Sequence, residues 1–223
     1  MAPCCKYMNR RAKEGEAYSP TSCEHIANVV THGLALIPAL FYCRNLLRSA
    51  SNDSEYRNGL LFGAATISLF LSSTVYHWVF FVGKWNDLRV CLHKIDRATI
   101  YIFIASSYTP WLTLKEVGPF GAHMRWIVWF LAVFGMVYQY LYHEKYKLME
   151  IIIYLFTGVF PAAAVLFSTE ERSGLDCLAY GGIIYIIGVI FFKCDGLIPY
   201  AHAIWHLHVV AGASFHYYAV HTY

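Results

Sequence analysis

Seven long apolar blocks run through the chain, at residues 26–47, 59–82, 95–114, 125–142, 149–168, 175–192 and 201–221. Each is close to the ~20 residues an α-helix needs to cross the hydrocarbon of a bilayer. In that medium every backbone N–H and C=O must find a partner within the protein, which only helices and closed barrels achieve. A barrel would need ~10-residue segments of alternating polarity, and these blocks are longer and do not alternate. The expected fold is therefore an all-α membrane protein, a seven-transmembrane helix bundle. Composition agrees, since only 14% of residues are charged and 58% are hydrophobic, whereas about a quarter of a soluble domain is charged. The links are short and polar (RSASNDSEYRN, YHEKYK, STEERSGLD) and leave no room for a second domain. The expected organisation is a basic cytoplasmic tail over 1–24 and a membrane domain over 25–223. The tail lacks the apolar stretch of a cleavable signal peptide, so the first helix is expected to be a retained insertion signal.

Orientation follows from where the cations lie. With seven crossings the amino-terminal side owns eleven Lys and Arg (residues 6, 10, 11, 13, 84, 89, 94, 97, 145, 147 and 193), and the other side six (44, 48, 57, 115, 125 and 172). Cytoplasmic loops are the positively charged ones, which predicts a cytoplasmic amino terminus. The seven cysteines are odd in number and form no C-x-x-C, so no disulfide framework is readable. Cys4 and Cys5, beside basic residues, are either plain thiols or palmitoylation sites.

The polar residues inside the blocks carry the functional signal, because ionisable groups in a membrane are costly and are candidates for function. His202 and His206 are four apart and so share a helical face. His208 points elsewhere and His216 lies ~21 Å beyond His202, so no single ion can be shared among all of them. The second helix ends in SSTVYH, which puts Ser73 and His77 near the same membrane surface, and HKIDRATI places Asp96 about one turn into the third. Three helices thus bring Ser73, His77, Asp96, His202 and His206 to one depth. Three imidazoles with an open fourth position are a typical catalytic zinc set. The plainer alternative pairs Asp96 with Arg97 or Lys94 and leaves His77 at the interface. In the first helix Glu24, Asn28 and His32, spaced by four, form a polar stripe that either supports the ligand rings or is a helix-packing seam. His25, His93, His123 and His143 lie at helix ends and are expected to be wet.

These residues resemble those of the progestin and adipoQ receptor (PAQR) and haemolysin III family. The resemblance rests on Ser73-x3-His77, Asp96 at the head of the next helix, His202-x3-His206, and the opening EHIANVVTHG. DRATIYIFIASSYTPWL, GPFGAHMRWIVW and FFKCDGLIPYAHAIWH are similar to the monocyte to macrophage differentiation subgroup, and the likeness covers about residue 18 to the end. It implies a seven-helix bundle with a cytoplasmic amino terminus, Zn2+ held by His77, His202 and His206, Asp96 positioning a water and Ser73 supporting.

Two function classes follow. One is a zinc-dependent lipid amide hydrolase, with a ceramide-like membrane lipid as substrate, in which Asp96 moves the proton and Ser73 hydrogen-bonds the developing oxyanion. The other is a signalling-type membrane protein whose zinc only staples helices. For this class the resemblance implies Golgi or late endosomal–lysosomal membranes, Ras and MAP-kinase pathway proteins as cytoplasmic partners, and effects on macrophage-type activation. The amino-terminal tail and YHEKYK would bind a partner or anionic lipid, or be ordinary positive-inside flanks. No nucleic-acid partner is expected, and a Gly-rich phosphate loop is absent.

Overall fold

A computed structural model describes residues 7–13, 15–114, 118–168 and 174–222; Cys4 and Cys5 lie outside them. Seven helices follow one another: α1 (Ser22–Ser49), α2 (Asp53–Val82), α3 (Asn86–Leu114), α4 (Gly118–Leu141), α5 (Lys147–Ser168), α6 (Leu175–Phe192) and α7 (Ala201–His221). Each packs on the next, α7 returns to α1, and α3 sits at the centre against α2, α4, α5 and α7. The ends agree with the apolar blocks at α6 and α7 and run longer in α1 to α4. A helix does not stop where hydrocarbon does: it runs on until capping takes over its free N–H groups. Thr21 caps α1, accepting from Glu24 N while Glu24 reaches back to Thr21 N. Asn52 caps α2 by accepting from the amides of Ser54 and Glu55 at 3.0 and 2.9 Å, and Gly83, at φ 71°, ends it.

Among the described residues α1, α2, residues 122–141 of α4, and α6 are long and apolar enough to cross a membrane by themselves. The central helix α3 and the histidine-rich α7 are more polar because they face inward onto the site described below. The outer surface is apolar, with Ile37, Trp126 and Phe130 among its most exposed side chains. Inside, one core gathers Tyr101, Tyr108 and Trp111 of α3 with Val128 of α4 and Tyr154 of α5. A second joins Phe62, Leu69 and Phe70 of α2 with Phe103 of α3 and Val209 of α7. Close helix approach depends on small residues: a Cβ on Gly63 would lie 2.4 Å from Cys43 Sγ and 3.1 Å from its Cα.

The end of the bundle that carries the amino terminus is held by ions. Arg97 of α3 donates to Glu144 at 2.9 Å and to Glu150 of α5 at 3.1 Å, and its guanidinium lies 5.1 Å from the Phe192 ring of α6. Glu144, in the α4–α5 loop at φ 63°, also takes Lys147 at 2.8 Å. His93 stacks on Tyr76 and is hydrogen-bonded to His143 at 3.1 Å, which in turn meets Gln139. The expectation of wet helix-end histidines is thus corrected for His25 and His93: His25 is buried against Phe80 and His93 within this network. His123 is exposed.

The described residues of the first twenty contact the bundle. The Tyr18 hydroxyl accepts from Asn9 N and donates to Glu24; the Asn9 amide donates to Ser19 O, and Tyr7 packs on Tyr200. Gly196, at φ 76°, leaves room for the Arg11 backbone, which a Cβ there would meet at 2.4 Å. The segment therefore folds across the end of the bundle.

Two outcomes follow. Gly63→Val, by forcing α1 and α2 apart, is expected to destabilise the protein by about 1–3 kcal/mol in detergent thermal denaturation. Arg97→Met leaves buried Glu150 without a cation and Glu144 with Lys147 alone, and should cost about 3–5 kcal/mol at neutral pH. Burial pushes the Glu144 carboxyl up, but Arg97 and Lys147 outweigh that and hold it below its usual value. Its stabilisation is therefore full above the ordinary carboxylate pKa and fades as pH falls through the depressed folded value. The gap between wild type and Arg97→Met should narrow on acidification; a gap that widens would contradict this pairing.

Candidate metal centre

His202 and His206 occupy consecutive turns at the start of α7, and His77 lies in the last two turns of α2. Antiparallel packing brings the three rings together, with centroid separations of 5.1, 5.2 and 4.8 Å. One ligand nitrogen from each lies within 4.8 Å of the other two, close enough for one cation to meet all three after small side-chain rotations. The hydrogen bonds of these rings share a pattern: each uses Nδ1. His202 Nδ1 meets Asp195 Oδ2 at 3.1 Å, His206 Nδ1 meets Thr31 Oγ1 at 3.0 Å, and His77 Nδ1 faces the Asn28 amide at 3.5 Å. Thr31 in turn donates to Ala27 O at 2.9 Å, so its oxygen is free to accept from an Nδ1–H. Asn28 Oδ1 is buried without a partner, and turning the amide would let it accept from His77. An imidazole that donates through Nδ1 presents an Nε2 lone pair, the arrangement typical of metal-ligating histidines. His77 Nε2 is buried with no hydrogen bond. A buried ring nitrogen left so is costly unless something else meets it, and a cation fits.

Asp96, one turn into α3, lines the same cavity with Ser73 and His202 as polar neighbours. It is not among the close ligand set, nor is it ion-paired with any described residue. Arg97 is taken by Glu144 and Glu150, and Lys94 lies 4.2 Å from the Tyr140 ring centroid. Among the described residues neither cation forms an ion pair with Asp96. Ser73 Oγ is buried without a hydrogen bond. The structure thus brings together all five residues that the helical spacings single out.

The stripe on α1 divides into three roles. Asn28 touches His77, as above. His32 stacks on His206, with centroids 3.6 Å apart and rings 11° from parallel, and neither of its nitrogens has a hydrogen bond. Glu24 does not reach a ligand ring; it caps its own helix and accepts from Tyr18. Its place three residues after Thr21 is a helix-start signature, Thr-x-x-Glu, that was available in the sequence. Sequence reasoning missed Asp195 and Thr31. Asp195 stands seven residues before His202, in a turn, where no periodicity points to it; Thr31 lies off the stripe's spacing of four.

A second group, His93, His143 and Glu144, also has the spacing to hold a metal. Its atoms are already engaged with one another, with Gln139 and with Arg97, and a guanidinium beside them disfavours another cation. His208 is satisfied by Ile204 O at 2.8 Å, and His221 is exposed.

A cavity of about 710 Å³ connects the triad to both ends of the bundle core. Its mouth is lined by Arg11, Lys13, Tyr18 and Lys193, and its depth by Leu178, Tyr185 and His216. Val159 of α5 and Ile183 and Ile186 of α6 also line it while 47%, 52% and 46% exposed, so single side chains form its wall towards the outer surface between these helices.

Comparison with known proteins shows the family. The family model described as haemolysin-III related matches residues 22–217. The human and mouse proteins named monocyte to macrophage differentiation factor are each 46% identical over 98% of this chain and 92% of their own. The hemolysin-3 homolog of Bacillus subtilis (strain 168) is 34% identical over 86% of this chain and 90% of its own. No solved structure matches. The chain belongs to the haemolysin III-related (PAQR) family of multi-pass membrane proteins.

Proposed function

We propose that the protein is a zinc-dependent intramembrane hydrolase of lipid amides, of ceramide-like chemistry. One observation carries the reading: three converging imidazoles, each hydrogen-bonded through Nδ1, share one largely apolar cavity with the Asp96 carboxylate and the Ser73 hydroxyl. Imidazole ligands without thiolate or a carboxylate cage suit zinc better than copper(I), magnesium or calcium. Zinc held there would polarise a carbonyl and make water nucleophilic near neutral pH. Asp96 would accept the proton and return it to the leaving amine, and Ser73 would donate to the developing oxyanion. Asp195, Thr31 and Asn28 orient the rings and set their tautomers. Rotation of the side chains that wall the cavity between α5 and α6 would admit an acyl chain from the surrounding lipid, and the folded amino-terminal segment would limit water at the mouth.

A second reading is supported by the identity to proteins named for macrophage differentiation. Here the metal staples α2 to α7, and the amino-terminal face engages Ras or MAP-kinase pathway partners in Golgi or late endosomal–lysosomal membranes. Both readings place that face in the cytoplasm, which the eleven-to-six cation distribution supports.

Metal analysis and ceramide hydrolysis on purified wild type and Asp96→Ala distinguish the two. The hydrolase reading expects about one zinc per chain in both proteins, with turnover falling at least a hundredfold in Asp96→Ala. Zinc without turnover in wild type would leave the staple, and no zinc in wild type would remove both. Asp195→Ala should weaken zinc affinity by about 10–100-fold, because His202 loses the carboxylate that orients it. An unchanged affinity would show that the pairing does not serve the metal.

A further inference from the structure

The far end of the cavity holds polar groups that the proposed chemistry does not use. His216 lies ten residues beyond His206 on α7, a distance of about 15 Å along the helix. It is 4% exposed, lines the cavity, and has no hydrogen bond at either ring nitrogen. The Tyr185 ring of α6 packs edge-on against it, with centroids 5.4 Å apart; its hydroxyl is likewise buried and without a partner, and it too lines the cavity. The fold makes room for this pair. A Cβ on Gly181 would lie 2.4 Å from His216 Cδ2, and one on Gly212 would lie 2.6 Å from Tyr185 Cζ. Two glycines at the α6–α7 crossing thus let two polar rings reach the cavity where Phe or Leu would have been simpler. Between this end and the metal centre the lining is apolar, with Ile100, Phe103, Ile104 and Val209.

A neutral imidazole offers one donor and one acceptor, and a phenol can donate or accept. Left unmade in hydrocarbon these bonds are costly, and none of the described residues makes them. Resting on the reading of the cavity as a lipid site, we propose that His216 and Tyr185 form a second polar subsite for an oxygen at the far end of the bound chain. The ligand is then polar at both ends: a long-chain lipid carrying a hydroxyl or carbonyl remote from its head. The head lies at the metal centre, the apolar stretch crosses the middle of the cavity, and the distal oxygen exchanges hydrogen bonds with His216 and Tyr185.

The test is equilibrium binding of hexadecanoic acid and 16-hydroxyhexadecanoic acid to the zinc-loaded Asp96→Ala protein in nanodiscs, where no turnover interferes. The hydroxylated chain is expected to bind roughly tenfold more tightly, the scale of one or two buried hydrogen bonds. That preference should vanish in Tyr185→Phe, which removes a single oxygen, and in His216→Leu, while hexadecanoic acid binds each as before. Equal binding of the two acids to the parent protein, or a preference that survives in both variants, overturns the subsite and leaves the cavity reading intact. Failure of both acids to bind the parent overturns the two together.

Discussion

A polar group in hydrocarbon has no water to fall back on, and this bundle is organised by that cost. Most inward-facing hydroxyls meet it locally, by donating to the carbonyl one turn back: Thr66 to Phe62, Thr74 to Phe70, Thr109 to Ala105 and Thr157 to Ile153. Many side chains that lack such a partner gather in two places. Asn28, His32 and Ser73 lie around the histidine triad, whose own His77 has an unmet Nε2, and Tyr185 and His216 close the far end of the cavity. Both places lie along one cavity.

The triad depends on the geometry around it. Its rings come from helices at opposite ends of the sequence, so their convergence rests on how α1, α2 and α7 pack. Thr31 and Asn28 of α1 hold two Nδ1 atoms, and the turn before α7 holds the third through Asp195. Nearby, Arg97 ties α3, the α4–α5 loop, α5 and α6 into one frame, which leaves Asp96 beside the triad with no cation of its own. Neighbouring residues on one turn of α3 thus have opposite fates, Arg97 neutralised and Asp96 unpaired, because they face different sides of the helix.

Much of the site was legible in advance. The spacing of four between Ser73 and His77 and between His202 and His206, with Asp96 one turn into α3, is helical geometry, and the alternation of crossings sets their depth. The partners that fix the rings were not legible: Asp195 sits in an irregular turn, and Thr31 looks like any hydroxyl on an apolar helix. Glu24 misled because its spacing of four from Asn28 hid its place three residues after Thr21, where it serves as a helix cap. His93 misled because position at a helix end says nothing about what packs over it.

The sequence by itself determined the helix count, the membrane as solvent, the family and the residues able to hold a metal. Those follow from local properties, namely block length, spacing along a helix and residue type. Only the tertiary structure decided which nitrogens stay free, that Asp96 escapes its neighbouring cations, that the amino-terminal segment folds over the mouth, and that His216 and Tyr185 meet at the cavity's end. Each of these depends on contacts between helices distant in the chain, and long-range packing leaves no periodic trace in the residues that make it.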